Sequence, residues 1–160
     1  MKRFCLIATL LCLLLSGCGQ YIKEPVTFYY IRSEYHEDMN GILASEKREA
    51  SGHRDDLAYL LALYMMGPAD DELISPIPRG ISIYNLESDE NSVEIILSES
   101  GRVMSDSQYA LACACLSMTC MELTGAKTVT ISSGERSITM DDTNLVLHDF
   151  STAAPLEETK

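Results

Sequence analysis

Short runs in which apolar and β-branched residues alternate with polar ones recur along the chain. Alternation with a period of two is typical of strands that bury one face. The predicted strands cover residues 26–31, 42–50, 81–87, 93–98 and 128–132, and residues 137–140 are a candidate for a short sixth strand. Asn40-Gly41 is a strong turn signal, so the first two strands are expected to pair with each other.

The apolar residues between positions 55 and 66 recur with the period of a helix. Apolar residues fall there at positions i, i+3, i+4 and i+7 and form one apolar face: Leu57, Leu60, Leu61 and Tyr64. Asp55 suits the positive end of the helix dipole, and Gly67-Pro68 ends the helix.

A second helix is predicted from Ser105 to about Thr124. Ser105 and Gln108 have the spacing of a capping box, and Gly125 suits the end of the helix. Between residues 109 and 121 nearly every position is Ala, Leu, Cys or Met. A helix that is apolar almost all round is buried on more than one side. It is therefore predicted to be a central core helix, or a core helix that also contributes to an oligomer interface.

The predicted order of elements is ββαββαβ. This order indicates an α+β fold, a mixed α/β sandwich in which two helices pack on one face of a small sheet of five to six strands. One domain is expected over residues 25–148, with a long loop at 67–80 and a flexible tail at 149–160.

The N-terminal segment has the three parts of a lipoprotein signal. Lys2 and Arg3 precede an apolar run at residues 4–15, and Leu15-Ser16-Gly17-Cys18 has the form of a lipobox. The run is about half of the roughly 20 residues that a spanning helix needs. The alternatives are an ordinary secretory signal with a chance cysteine and, more weakly, an uncleaved anchor helix.

The lipobox predicts cleavage between Gly17 and Cys18, which removes residues 1–17. Diacylglycerol would be attached covalently to Cys18, and no other cofactor is expected. Residues 18–24 would form a tether of at most roughly 20 Å between the lipid and the domain. The expected location is the extracytoplasmic face of the bacterial cell membrane, without a spanning segment.

The charge balance limits the classes of partner. The chain has 24 acidic and 12 basic residues, and loss of Lys2 and Arg3 leaves ten basic residues and a net charge of −14. Such an excess of acid argues against nucleic acid and anionic lipid headgroups as partners.

Three cysteines remain beyond the signal and the lipid anchor: Cys113, Cys115 and Cys120. The first two are too close to provide the C-x-x-C spacing of a zinc site, so no metal is expected. On a helix these two point in different directions, which disfavours a disulfide between them. All three are predicted to be small buried residues of the core.

Catalytic signatures are absent from the sequence. It contains no phosphate-binding glycine loop and no Gly-x-Ser-x-Gly elbow. His53 is interpreted as a cap or surface residue, and Asp70-Asp71-Glu72 and Asp141-Asp142 as solvated loop charges. Glu99 and Asp106 could form a carboxylate pair, but the sequence does not fix their separation. The chain is therefore predicted not to be an enzyme.

Residues 55–139 resemble the GerMN domain. The resemblance is carried by residues 57–61, Gly67-Pro68, the run Ser75-Pro76-Ile77-Pro78-Arg79-Gly80, residues 93–98, the second helix up to Gly125, and Val129-Thr130-Ile131. It implies a small α/β module without known enzymatic activity. Such modules occur in membrane lipoproteins linked to sporulation, germination and envelope assembly, and resemble ring-building modules of sporulation complexes.

The leading hypothesis is a lipid-anchored module that binds another envelope protein or itself. The exposed sheet face, a strand edge or the 67–80 loop would make the contact. Pro76, Pro78 and Arg79 are the candidate interaction residues of this loop, because prolines lower the ordering cost of binding. The prolines could equally serve only to shape the connection. The alternatives are a small-ligand or cell-wall-binding lipoprotein with a tyrosine-lined pocket and, more weakly, a hydrolase.

Overall fold

A computed structural model describes residues 25–34, 41–50, 52–99, 103–141 and 143. The elements in chain order are β1 (Pro25–Arg32), β2 (Leu43–Glu49), α1 (Leu57–Met65), β3 (Leu73–Ile74), β4 (Ile83–Ser88), β5 (Ser92–Leu97), α2 (Asp106–Thr124), β6 (Thr128–Ser133) and β7 (Arg136–Asp141). Gly17, Cys18, the tether and the tail at 149–160 lie outside the described residues. No helix among the described residues is long and apolar enough to cross a membrane.

The α+β class is confirmed, but the strands form two sheets instead of one. The first sheet has the order β2-β1-β3 and the second the order β4-β5-β6-β7. All pairs are antiparallel except β5 with β6. A parallel pair needs a long crossover between its strands, and α2 provides it. The element order predicted two helices on one face of a single sheet. The two-sheet arrangement differs from this prediction.

The predicted 67–80 loop contains the short strand β3. Leu73 and Ile74 pair with Arg32 and Ile31 of β1. A strand of two residues is too short to show an alternating pattern, which is why the sequence indicates only a loop here.

Helix α2 bridges the two sheets. The Tyr29 backbone amide of β1 donates a hydrogen bond to the Thr119 hydroxyl, 3.0 Å away. Strand β3 pairs with β1 only at Ile31 and Arg32, and so does not pair with Tyr29. At the other end of the helix, the Tyr109 hydroxyl donates to the Ile131 carbonyl of β6 at 3.0 Å. The two contacts connect opposite ends of α2 to different sheets. The prediction of a helix buried on more than one side is confirmed.

The ends of α2 follow the predicted signals. The Ser105 hydroxyl accepts from the Gln108 amide, and the Gln108 side chain accepts from the Ser105 amide, so the capping box is complete. Gly125 ends the helix with a φ of 75°, a left-handed conformation in which glycine avoids the strain of a side chain.

An aromatic cluster joins α1 to the first sheet. The rings of Tyr30 and Tyr64 stack with 4.9 Å between centroids, and Phe28 lies 5.8 Å from Tyr64. The Tyr30 hydroxyl donates to the Tyr64 carbonyl at 3.2 Å. From β2, the Arg48 guanidinium donates to the carbonyl of Gly67, just beyond α1, at 2.9 Å. These contacts hold α1 against β1 and β2.

Helix α1 begins two residues later than predicted, because Asp56 is its N-cap and accepts a hydrogen bond from the Tyr59 amide at 3.0 Å. Within α1, Leu60, Leu61 and Tyr64 are buried. Ala58 and Ala62 face solvent on another side of the helix. This side borders the second sheet and positions the surface described next.

Candidate functional site

A groove, here called the seam, runs between α1 and the N-terminal part of β4. It encloses about 520 Å³ and is lined by Ala58, Leu61, Ala62 and Met65 of α1 and by residues 81–86. Leu61 and Ile81 are buried at its base. The seam is apolar on its helix side, since none of the four helix residues carries a polar side chain.

Two exposed apolar side chains stand near the seam. Tyr84 lines it and is 83% exposed, and Met66, which follows α1 directly, is 80% exposed. Single exposed apolar residues are ordinary on protein surfaces, but grouping beside an apolar groove marks a candidate contact site. The sequence carried a signal for it, because α1 reads LAYLLALYM, without one charged residue.

Strand β4 is an edge of the second sheet. Its backbone pairs with β5 on one side, and no strand among the described residues pairs with the other side. Ile83 pairs with Leu97 and Asn85 with Ile96, so Tyr84 is the extra residue of a β-bulge. A bulge turns its side chain out of the regular alternation, which accounts for the exposed position of the Tyr84 ring.

A second, smaller cavity of about 260 Å³ lies beside the N-terminal end of α1. It is lined by Arg54 and Asp55, by Ser88 at the end of β4, and by Thr124 at the end of α2. Glu87 precedes Ser88 and is exposed, and its carboxylate accepts a hydrogen bond from the Asn85 side chain at 3.0 Å. Glu87 pairs with the exposed Glu94 of β5, whereas Ser88 pairs with the buried Val93, so Glu87 and Glu94 lie together on the solvent face of the sheet.

The three predicted interaction residues of the loop differ in accessibility. Pro76 is buried, Pro78 is half-buried and Arg79 is exposed. The Ser75 hydroxyl donates to the Ile77 carbonyl at 3.0 Å, and Ile77 is buried in the core. Pro76 thus helps to shape the connection, while Arg79 is the most accessible of the three. The interaction role of the loop stays a prediction.

The predicted burial of the three cysteines is confirmed. Cys113, Cys115 and Cys120 are buried free thiols. Burial raises the pKa of Cys113 to about 11 and the pKa values of Cys115 and Cys120 to about 12, because the thiolate loses its hydration.

These raised pKa values predict protected thiols and a loss of stability at alkaline pH. At pH 8 we expect iodoacetamide to leave all three cysteines unmodified in the folded chain and to alkylate all three in guanidinium, as read by peptide mass spectrometry. Their folded pKa values lie above the unfolded ones, so their contribution to stability is complete below about pH 8.5. It is lost as pH rises toward 11–12. Rapid alkylation of any of the three in the folded chain would contradict their burial.

Two of the candidate catalytic residues, His53 and Asp106, contact other neighbours. The exposed His53 ring stacks on Tyr59 with 4.2 Å between centroids, and its Nδ1 lies 4.0 Å from the Asp56 carboxylate. The Asp106 carboxylate lies 3.5 Å from the Arg136 guanidinium. No group of three potential metal ligands occurs in the part of the chain that the structure describes.

Similar proteins are found by comparison of structures and not by comparison of sequences. No protein-family model matches the sequence, and a search of curated proteins finds no match. The tandem GerMN domains of the sporulation protein GerM from Bacillus subtilis superpose with a TM-score of 0.50 and 16% identity, covering 76% of this chain. This chain spans 43% of the length of that protein.

A second similar structure is a protein from Clostridium perfringens that is described as a lipoprotein. Its TM-score is 0.47 at 13% identity, over 80% of this chain and 95% of the other. The superposition on GerM agrees with the resemblance carried by the sequence of α1, α2 and the strands around them. The chain therefore has the fold of a GerMN domain.

Proposed function

We propose that the protein is a lipid-anchored, non-catalytic module of the bacterial cell envelope that binds another envelope protein. The observation that carries the proposal is the seam, an apolar groove lined by Met65 and by the exposed ring of Tyr84. Aromatic residues and methionine are enriched at protein interfaces, where they fill apolar contacts. Assembly in sporulation or germination is the finer expectation that the resemblance to GerMN domains supports.

The anchor in this proposal is diacylglycerol on Cys18, at the extracytoplasmic face of the membrane. The short tether at 18–24 would keep the domain close to the lipid surface. The acidic surface, with 24 acidic and 12 basic residues in the whole chain, repels anionic headgroups. The seam would thus be available to a protein partner in the envelope and not to the lipid itself.

A small-ligand site is the second candidate. The volume of the seam, about 520 Å³, lies within the range of ligand pockets, and Tyr84 supplies an aromatic ring. Ligand pockets also need polar groups that converge on the ligand and fix its orientation. Among the side chains that line the seam, only those of Ser82, Tyr84 and Asn85 offer such groups, which favours a protein contact.

Affinity capture from chemically cross-linked cells tests the proposal. We expect the wild-type chain to recover a distinct envelope protein, and Ala62→Arg to lose it because the long side chain fills the seam. The matched control Ala69→Arg makes the same change at an exposed loop position outside the seam and should recover the partner normally. Recovery of no protein by the wild type, or equal recovery by both variants, would contradict a protein-binding role for the seam.

A further inference from the structure

We infer that the seam binds an extended, basic segment of the partner protein, which adds a strand to the open edge of β4 and buries alternate apolar side chains against α1. This inference rests on the proposed function and deepens it, because it specifies the conformation and the charge of the bound segment. A bound helix, a second copy of this chain and the chain's own C-terminal residues are the competing occupants.

The edge of β4 supplies the backbone contacts. An edge strand presents a row of N–H and C=O groups in the plane of its sheet, and an added strand satisfies them. Beyond the bulge at Tyr84, Asn85, Leu86, Glu87 and Ser88 pair regularly with β5. These four residues therefore form a regular stretch of edge on which a new strand can pair.

Helix α1 supplies the apolar contacts. Ala58 and Ala62 are exposed, lie one turn apart and line the seam. Their small side chains leave room beside β4, where an added strand would lie about 4.8 Å from it. Because side chains of a strand alternate between its two faces, every second residue of the bound segment would point into the seam.

The bulge limits which segments can pair. Bulges protect sheet edges, because they bend the strand and interrupt its ladder. At this edge the exposed Tyr84 ring also stands where an added strand would end. A bound segment must therefore fit both the short regular edge and the aromatic ring, which makes pairing selective.

Charge selects the partner among the competing occupants. The solvent face beside the open edge of β4 presents the exposed carboxylates of Glu87 and, opposite it on β5, of Glu94. A basic segment complements these carboxylates. A second copy of the cleaved chain carries the same net charge of −14, and residues 144–160 contain Asp149, Glu157 and Glu158 against Lys160 alone. Both of these occupants would place acid against acid.

Selection from a phage-displayed library of random heptapeptides on the immobilised full chain, held in detergent micelles, tests the inference. We expect the enriched peptides to alternate apolar residues with polar ones, to carry Lys or Arg, and to lack Pro within the apolar stretch. Ala62→Arg should weaken their binding at least tenfold, and Ala69→Arg should leave it unchanged. Failure to enrich such peptides, or binding insensitive to Ala62→Arg, would overturn the inference.

Backbone methylation separates strand addition from other modes of binding. In a synthetic copy of the strongest peptide, N-methyl groups on alternate residues remove the N–H groups of one edge at a time. We expect one set of methyl groups to abolish binding and the other set to leave it within about threefold. A helical peptide would lose binding with either set, and side-chain binding alone would tolerate both, so each of these results would overturn strand addition.

A matched pair of variants tests the contribution of charge to peptide binding. Glu87→Lys is expected to raise the dissociation constant of the basic peptide about three- to tenfold at low salt, and the difference should shrink at high salt. Glu135→Lys makes the same change in the exposed turn between β6 and β7 and should have little effect. Equal effects of the two variants would overturn the charge assignment.

These results also separate the inference from the proposed function. Cross-linked cells that yield a partner lost on Ala62→Arg, together with a library that selects helical or acidic peptides, would retain the protein-binding function and overturn strand addition. Cells that yield only this protein, joined through β4 of two copies, would overturn the basic partner and establish self-assembly. Cells that yield no seam-dependent partner would overturn the proposed function itself.

Discussion

Phe28→Ala is expected to lower the free energy of unfolding by about 3–5 kcal/mol, the range for truncation of a fully buried phenylalanine. Phe28 has no exposed surface, and its ring contacts Tyr30 and Tyr64 at centroid distances of 6.4 and 5.8 Å. The Arg48 guanidinium lies 5.8 Å from the ring centre. Truncation leaves a cavity at the junction of β1, β2 and α1 and removes all these contacts. Denaturant unfolding at pH 7 measures the change.

Two controls separate loss of packing from loss of an aromatic ring in general. Tyr84→Ala removes a ring that is 83% exposed and should change stability by less than about 0.5 kcal/mol. Tyr64→Phe retains the ring and removes a buried hydroxyl that has no hydrogen-bond partner in the structure as described. It should leave stability unchanged or raise it by about 1 kcal/mol. A cost for Phe28→Ala as small as that for Tyr84→Ala would contradict the aromatic cluster.

Cys18→Ser is expected to abolish lipid anchoring, which either releases the protein from the membrane or leaves the precursor unprocessed. The hydroxyl of serine cannot form the thioether to diacylglycerol, so both acyl chains are lost, at about 0.8 kcal/mol for each buried methylene. We expect the wild-type chain to enter the detergent phase on phase separation. The variant should either leave it or persist as the uncleaved precursor. Intact-mass spectrometry of both species reads the processing and the lipid.

Cys12→Ser is the matched control, because it makes the same change within the signal and outside the lipobox. It should leave processing, lipid mass and fractionation as in the wild type. Processing and membrane association of the Cys18→Ser variant that match the wild type would contradict the lipoprotein interpretation.

The local sequence pattern was sufficient to predict most of the helices and strands. Alternation in β1 places Val26, Phe28 and Tyr30 in the core, and the same rule holds for Val93, Ile95 and Leu97 in β5. The capping box at Ser105 and the left-handed Gly125 bound α2 as predicted. These signals are readable from sequence because they depend on residues close together along the chain.

The division into two sheets was not predictable in the same way. It depends on which strands pair across long separations in the sequence. Because α2 contacts both sheets, the apolar pattern of this helix does not show that the strands are divided between them. The Tyr29 amide meets the Thr119 hydroxyl across 90 residues, and no local pattern encodes that contact. Strand β3 was not predicted, because a strand of two residues is too short to show an alternating pattern of apolar and polar residues.

The candidate site was predicted only in part. A strand edge was among the contact surfaces expected from sequence, and the burial of Cys113, Cys115 and Cys120 was predicted correctly. The seam itself was missed, because the apolar face of α1 was assigned wholly to the core. Ala58 and Ala62 lie on another side of α1 that faces solvent, and the position of β4 beside them makes the groove.

Site-specific photo-cross-linking in intact cells tests most directly whether the seam is the binding surface of the protein. Benzoylphenylalanine in place of Tyr84 keeps an aromatic ring at the rim, and the same group in place of the exposed Thr139 on β7 is the control. We expect the Tyr84 position to cross-link one envelope protein through a segment rich in Lys or Arg, and the Thr139 position not to do so. No cross-link at Tyr84, or the same partner at both positions, would contradict a binding role for the seam.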